Sequence, residues 1–124
     1  MPIIRAAAAP TFNVYGISVT GLAAPSRGAR ESNVWRLRLP PSAPAVEHTV
    51  DREEIFVALA GRAVATVDGQ SSDLGVGDTL VVPAGHPFSL ATPPGEAFEA
   101  LVVAPVGMRA TVPPGPPFAP PWTE

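Results

Sequence analysis

At 124 residues and a net charge of −3, the chain is long enough for one hydrophobic core and too short for two, and it lacks the basic surface that nucleic acid phosphates demand. The absence of cysteine removes disulfides, thiolate metal sites and thiol nucleophiles, and with no lysine among the eight basic residues there is neither a Schiff-base amine nor a P-loop lysine. Seventeen prolines and eleven glycines disfavour long helices, while a hydrophobic content of 46% points to a folded domain of short strands and turns.

The opening MPIIRAAAAP sets one arginine in a short Ala-rich stretch, without the basic region and longer apolar run of a signal peptide, and no apolar stretch approaches membrane-spanning length. The expectation is a soluble, cytoplasmic protein with neither nucleic acid nor membrane as partner. NVYGISVTGL (13–22) reads as the first β segment, followed by the turn signal APSRG (24–28). In VWRLRL (34–39) the alternation places Trp35, Leu37 and Leu39 on a core face and Arg36 and Arg38 in water. The opposite phase would let an arginine grip a substrate carboxylate, so Arg36 and Arg38 stand as candidate pocket residues, and Trp35 would suit a flat apolar ligand.

Residues 45–60 admit a helical rival, but Glu53 and Glu54 interrupt the apolar stripe of Val46, Val50 and Val57, which favours a strand. EIFVALA (54–60) is apolar on both alternating faces and so needs cover on both, one from the barrel interior and one from a second sheet, a terminal arm or a partner subunit. A homodimer follows as an expectation. AVATV (63–67), DTLVV (78–82), FSLA (88–91) and FEALVV (98–103) complete the β segments, separated by Gly61, Asp68-Gly69, Gly75, PAG (83–85) and PPG (93–95). Residues 1–112 then form one barrel domain. Residues 113–124, with six prolines, cannot join a central strand and form an extended arm that packs on its own barrel or on a neighbour through Phe118 and Trp122.

Two stretches, HTVDREEIFVALAG and GDTLVVPAGHPF, resemble the two halves of the cupin signature. The first half of that signature runs His, any residue, His, three or four residues, Glu, six residues, Gly; here His48, Val50, Glu54 and Gly61 take those places. The second runs Gly, five residues, Pro, any residue, Gly, two residues, His; here Gly77, Pro83, Gly85 and Phe88 do. The resemblance implies an all-β, cupin-like double-stranded β-helix, a jelly-roll barrel. Cupins that bind metal usually offer three histidines and a glutamate, of which this chain keeps His48 and Glu54 and replaces two by Val50 and Phe88.

Residues 48, 50 and 54 share parity, so one continuous strand phase would turn all three into the same space. His86, two residues before Phe88, has the parity to complete a set of two imidazoles and one carboxylate with His48 and Glu54, sufficient for one divalent iron, manganese, nickel or zinc ion. The competing expectation, given more weight, is that no metal binds, that His86 stays on the turn surface and that Phe88 fills the barrel. Glu47, Asp51, Arg52 and Glu53 belong to the wet rim. His48 and Glu54 can also act without metal, as a coupled acid and base on a small organic ligand, in a pocket lined by Val50, Phe56, Phe88 and Trp35. Two further readings stay open: a metal-dependent oxygenase or isomerase using His48, Glu54 and His86, and a non-catalytic assembly module.

Overall fold

The computed structural model covers Met1–Glu124 and builds eleven strands, all paired antiparallel, with only three single-turn 3-10 segments, one before the first strand, one between the second and third in chain order and one at the C-terminus. The strands are β1 (Thr11–Val14), β2 (Ile17–Ala23), β3 (Ser32–Leu39), β4 (Thr49–Val50), β5 (Glu54–Ala60), β6 (Ala63–Val67), β7 (Gln70–Leu74), β8 (Thr79–Val82), β9 (Phe88–Ala91), β10 (Phe98–Pro105) and β11 (Ala110–Thr111). One wall is a six-stranded sheet in the order β1-β2-β3-β10-β5-β8. The facing wall combines the β7-β6-β9 sheet with the β11-β4 pair. These join where the backbones of His48 and Phe88 exchange two hydrogen bonds of 3.0 and 2.9 Å. The all-β jelly-roll expectation is met.

Alternation in the sequence becomes the inside and outside of the barrel. In β3 the buried set is Asn33, Trp35, Leu37 and Leu39, with Arg36 and Arg38 exposed, and in β10 the buried set is Phe98, Ala100, Val102 and Ala104. β5 buries Glu54, Phe56 and Ala58 on the same interior face. Its other face is apolar too. Ile55 pairs with Val103 and Val81, and Val57 with Leu101, so an apolar stripe crosses three strands on the outside, with Val81 50% exposed. Opposite Glu99 and Ala100 the register skips Leu59, a bulge that leaves this leucine outside the ladder and 39% exposed.

Two turns depend on the left-handed backbone region. Gly61 joins β5 to β6 at φ +70, where a Cβ would lie 1.8 Å from the Ala97 carbonyl oxygen, so no other residue fits. Asp68 and Gly69, at φ 51 and 79, form the two-residue hairpin turn between β6 and β7. A like turn at Tyr15 and Gly16, φ 53 and 75, divides the segment expected over 13–22 into the hairpin β1-β2. Gly16 takes its left-handed conformation freely, whereas Tyr15 adopts one that side chains seldom take.

The C-terminal arm packs back on its own barrel. Phe118 exchanges two 2.9 Å backbone hydrogen bonds with Ala110, and Trp122, 8% exposed, sits with its ring centroid 6.2 Å from those of both Phe12 and Trp35. Ser26 donates from its hydroxyl to the Glu124 backbone oxygen at 2.5 Å and so fastens the end of the chain. Burial of the indole and phenyl rings stabilises the arm by a few kcal/mol, roughly 1.5–3 for each large side chain.

Candidate functional site

Between the two walls lies one cavity of about 390 Å³. Trp35, Leu37 and Leu39 from β3 form part of its wall, Phe56 from β5 and Phe88 and Leu90 from β9 another, and Met108, Ala110, Phe118 and Trp122 close the C-terminal side. Tyr15 and Ile17 come from the first hairpin, and the proline-rich loop 40–46 makes a rim. Into this largely apolar space come His48 and Val50 from β4 and its flank and Glu54 from β5, turned to one cavity by the pairing of two different sheets, since the bend at 51–53 interrupts the strand phase.

Glu54 opens β5 and is held by its pairing with Val82 of β8, so its backbone is fixed by the ladder and its carboxyl is directed inward. The residue is 4% exposed, and no protein group hydrogen-bonds to its carboxyl. Removal from water disfavours the carboxylate, which pushes its pKa from 4.5 up to about 8. At neutral pH the protonated form is therefore favoured, and the group acts as an O–H donor.

His48 precedes β4 and is locked to Phe88 by the paired backbone bonds, with ring centroids 4.2 Å apart. Its Nδ1–H donates to the Val46 carbonyl at 2.9 Å, which leaves Nε2 as the acceptor of a neutral ring. Burial lowers the imidazole pKa below 6.5, and the Val46 hydrogen bond partly opposes that shift. No hydrogen bond joins His48 to Glu54, so the acid and the base reach the cavity separately instead of neutralising one another.

The remaining expected pocket residues divide. Val50, Phe56, Phe88 and Trp35 line the cavity. Arg36 and Arg38 do not: both point to the outside of β3, and Arg36 Nε lies 3.5 Å from Glu99 Oε1. The alternation that buries three large apolar neighbours leaves the arginines no inward phase. His86 is corrected as well. It lies in the turn before β9 begins, about half exposed, with Nδ1 2.6 Å from Asp68 Oδ2 of the neighbouring hairpin turn, and parity with Phe88 carries no weight outside a continuous strand.

These placements bear on the metal. Of the four positions at which a metal-binding cupin carries its ligands, Val50 and Phe88 have no lone pairs to give. With His86 committed to Asp68, no three His, Asp or Glu side chains gather anywhere in the chain. The residues do not fit a divalent ion, and the set of His48, Glu54 and His86 does not form.

Thr92 is a positioning residue that the sequence did not single out. Buried at 8% exposure, its hydroxyl donates to the Pro40 carbonyl at 2.6 Å and accepts from the Ala43 amide at 2.8 Å, pinning the rim loop to the end of β9. Backbone bonds Ser42 to Pro93 and Thr92 to Ala43, 3.1 and 3.2 Å, complete the attachment. A lone threonine after FSLA gives no cue in sequence, because the loop it grips lies about fifty residues earlier.

A two-walled antiparallel barrel with an inward imidazole and carboxyl at its open side defines a small β-barrel pocket protein. The chain belongs to the cupin domain family, whose model matches residues 35–104. No curated protein matches its sequence. Among solved structures it is similar to the polyketide cyclase RemF from Streptomyces resistomycificus, with 21% identity, 85% of this chain and 79% of that one covered, and a TM-score of 0.76. It is also similar to a cupin-superfamily sugar phosphate isomerase from Silicibacter pomeroyi, with 20% identity, 92% and 83% covered and a TM-score of 0.76. A third is a point mutant of salicylate 1,2-dioxygenase from Pseudoaminobacter salicylatoxidans in complex with gentisate, with 18% identity, 86% of this chain but 31% of that one covered and a TM-score of 0.72. At these identities the likeness shows a shared fold.

Proposed function

We propose that the protein binds a small organic molecule in the barrel cavity and moves a proton on it, with Glu54 as general acid and His48 as general base. The observation that carries this reading is the Glu54 carboxyl, buried in the cavity wall without a protein hydrogen-bond partner. Because Glu54 lines the cavity, a ligand oxygen or nitrogen held there can supply the hydrogen-bond partner that the barrel does not. The neutral His48, which lines the same cavity, keeps a free lone pair on Nε2. On a ketone the step balances: Nε2 takes the proton from the carbon next to the carbonyl, the electron pair forms the C=C bond, and the Glu54 O–H protonates the oxygen to give the enol. That leaves an imidazolium and a carboxylate, which the reverse step discharges. The names of the structural neighbours, a cyclase and an isomerase among them, accord with chemistry of this kind.

The test is deuterium uptake by an enolisable two-ring ketone, 2-tetralone, in D₂O with wild-type protein, Glu54→Gln and His48→Gln. Exchange above the buffer rate that falls at least tenfold in each variant is expected. Equal exchange in all three proteins refutes the proton-transfer step.

We further propose that the outer apolar stripe of Ile55, Val57, Val81, Leu101 and Val103 is covered by a second copy of the chain, making a homodimer. The arm is engaged elsewhere, with Phe118 paired to Ala110 of β11 and Trp122 packed against Phe12 and Trp35. Light scattering on wild type and on Val81→Glu tests this: a dimer that the substitution dissociates supports it, and a wild-type monomer at micromolar concentration rules it out.

A further inference from the structure

We infer that the cavity selects an uncharged aromatic ligand of two or three fused rings carrying one hydroxyl or carbonyl oxygen, and rejects the carboxylate or phosphate analogue of the same ring. This rests on the reading of the cavity as the ligand site, but not on proton transfer occurring there.

Size comes first. At about 30 Å³ per molecule in liquid water, a cavity of about 390 Å³ holds the equivalent of roughly thirteen waters, room for two or three fused rings, so that a nucleotide is turned away by its charge and not by its bulk. Shape follows from the walls, where Trp35, Phe56, Phe88, Phe118 and Trp122 present ring faces and edges. Phe56 and Phe88 already meet edge to face at a centroid separation of 5.8 Å, the arrangement that a third aromatic ring extends at little cost.

Charge decides the class. No arginine lines the cavity, and the chain has no lysine. Seven of the eight arginines are exposed at the surface, and the half-buried Arg27 donates from Nε to the Leu22 carbonyl, away from the cavity lining. An anion entering would leave its water shell, find no cation, and lie against an acidic side chain. The one basic group present, His48, is held neutral by its burial. A single ligand oxygen, by contrast, meets what it needs: a phenol O–H donates to His48 Nε2 while its oxygen accepts from the Glu54 O–H, and a ketone oxygen uses the second bond alone.

The probes are 2-naphthol and 2-naphthoate at pH 7, which share one ring system and differ in charge. Isothermal titration calorimetry on the wild-type chain should show 2-naphthol bound at least 100-fold more tightly than 2-naphthoate, equivalent to about 2.8 kcal/mol at 1.4 per factor of ten. NMR contacts from the bound naphthol to the Phe56 and Phe88 rings should locate it. Equal affinities, tighter binding of the carboxylate, or no binding of 2-naphthol overturns the inference. Naphthol binding without exchange of 2-tetralone leaves charge selection intact and removes proton transfer. Exchange together with naphthoate binding as tight as naphthol does the reverse.

Discussion

Replacing Glu54 by Gln removes an ionisable proton while keeping the side chain's size, and the burial of this group sets what should follow. The carboxyl titrates at about 8 in the folded chain against 4.5 as the reference value. A raised pKa means that folding favours the protonated form, so its contribution is fully present below pH 4.5 and is lost as pH rises through 8. Each unit corresponds to about 1.36 kcal/mol. Between pH 4.5 and 7 the wild type therefore loses about 3 kcal/mol, and about 4 by pH 9. Glutamine has no proton to lose. The stability of Glu54→Gln minus that of wild type should grow by about 3 kcal/mol from pH 4.5 to 7 and level off above pH 8. Any fixed difference between a buried amide and a buried acid shifts the whole curve without tilting it, and His48 titrates in both proteins and subtracts out. Urea unfolding followed by tryptophan fluorescence at five pH values from 4.5 to 9 gives the curve. A difference that stays constant within 0.5 kcal/mol, used here as roughly the limit for independent effects, would refute the claim that this carboxyl is buried and unpartnered.

Three further substitutions probe the frame. Gly61→Ala places a Cβ 1.8 Å from the Ala97 carbonyl in a left-handed turn, so it should destabilise by about 3 kcal/mol or more, read from the thermal midpoint. Trp122→Ala empties the aromatic cluster with Phe12 and Trp35 and should cost about 3–5 kcal/mol while leaving the C-terminal arm open to proteolysis. Thr92→Val leaves the Ala43 amide unpaired and should cost about 1–3 kcal/mol, with faster hydrogen exchange confined to the rim loop; uniform exchange across the barrel would deny it the positioning role.

How much of this was readable in sequence depends on how local each determinant is. EIFVALA, AVATV and FSLA coincide with β5, β6 and β9, because apolar composition and flanking glycine or proline turns act within each segment. The strand QSSDL was missed, since four of its five residues are exposed and it shows no apolar alternation. Only the Asp68-Gly69 turn that reverses the chain before it carries a hairpin signal. The hairpin at 15–16 was hidden because a tyrosine holds the first left-handed position.

The site divides in the same way. His48, Val50 and Glu54 reach one cavity because backbone pairing fixes their facing. His86 failed because its direction is set by Asp68, eighteen residues away, and not by the phase of β9. The sequence leaves open whether the arm rests on its own barrel or on a neighbour; in the structure Phe118 pairs with Ala110 of the same chain, a contact no local pattern announces.

The most direct measurement is the ionisation of one side chain. A carboxyl ¹³C NMR titration of glutamate-labelled protein, with Glu54→Gln to assign the signal, should place the Glu54 midpoint near 8 and move it when 2-naphthol binds. A midpoint near 4.5, the value of a solvated glutamate, would mean that the carboxyl is in water and that the barrel holds no acid poised against a ligand.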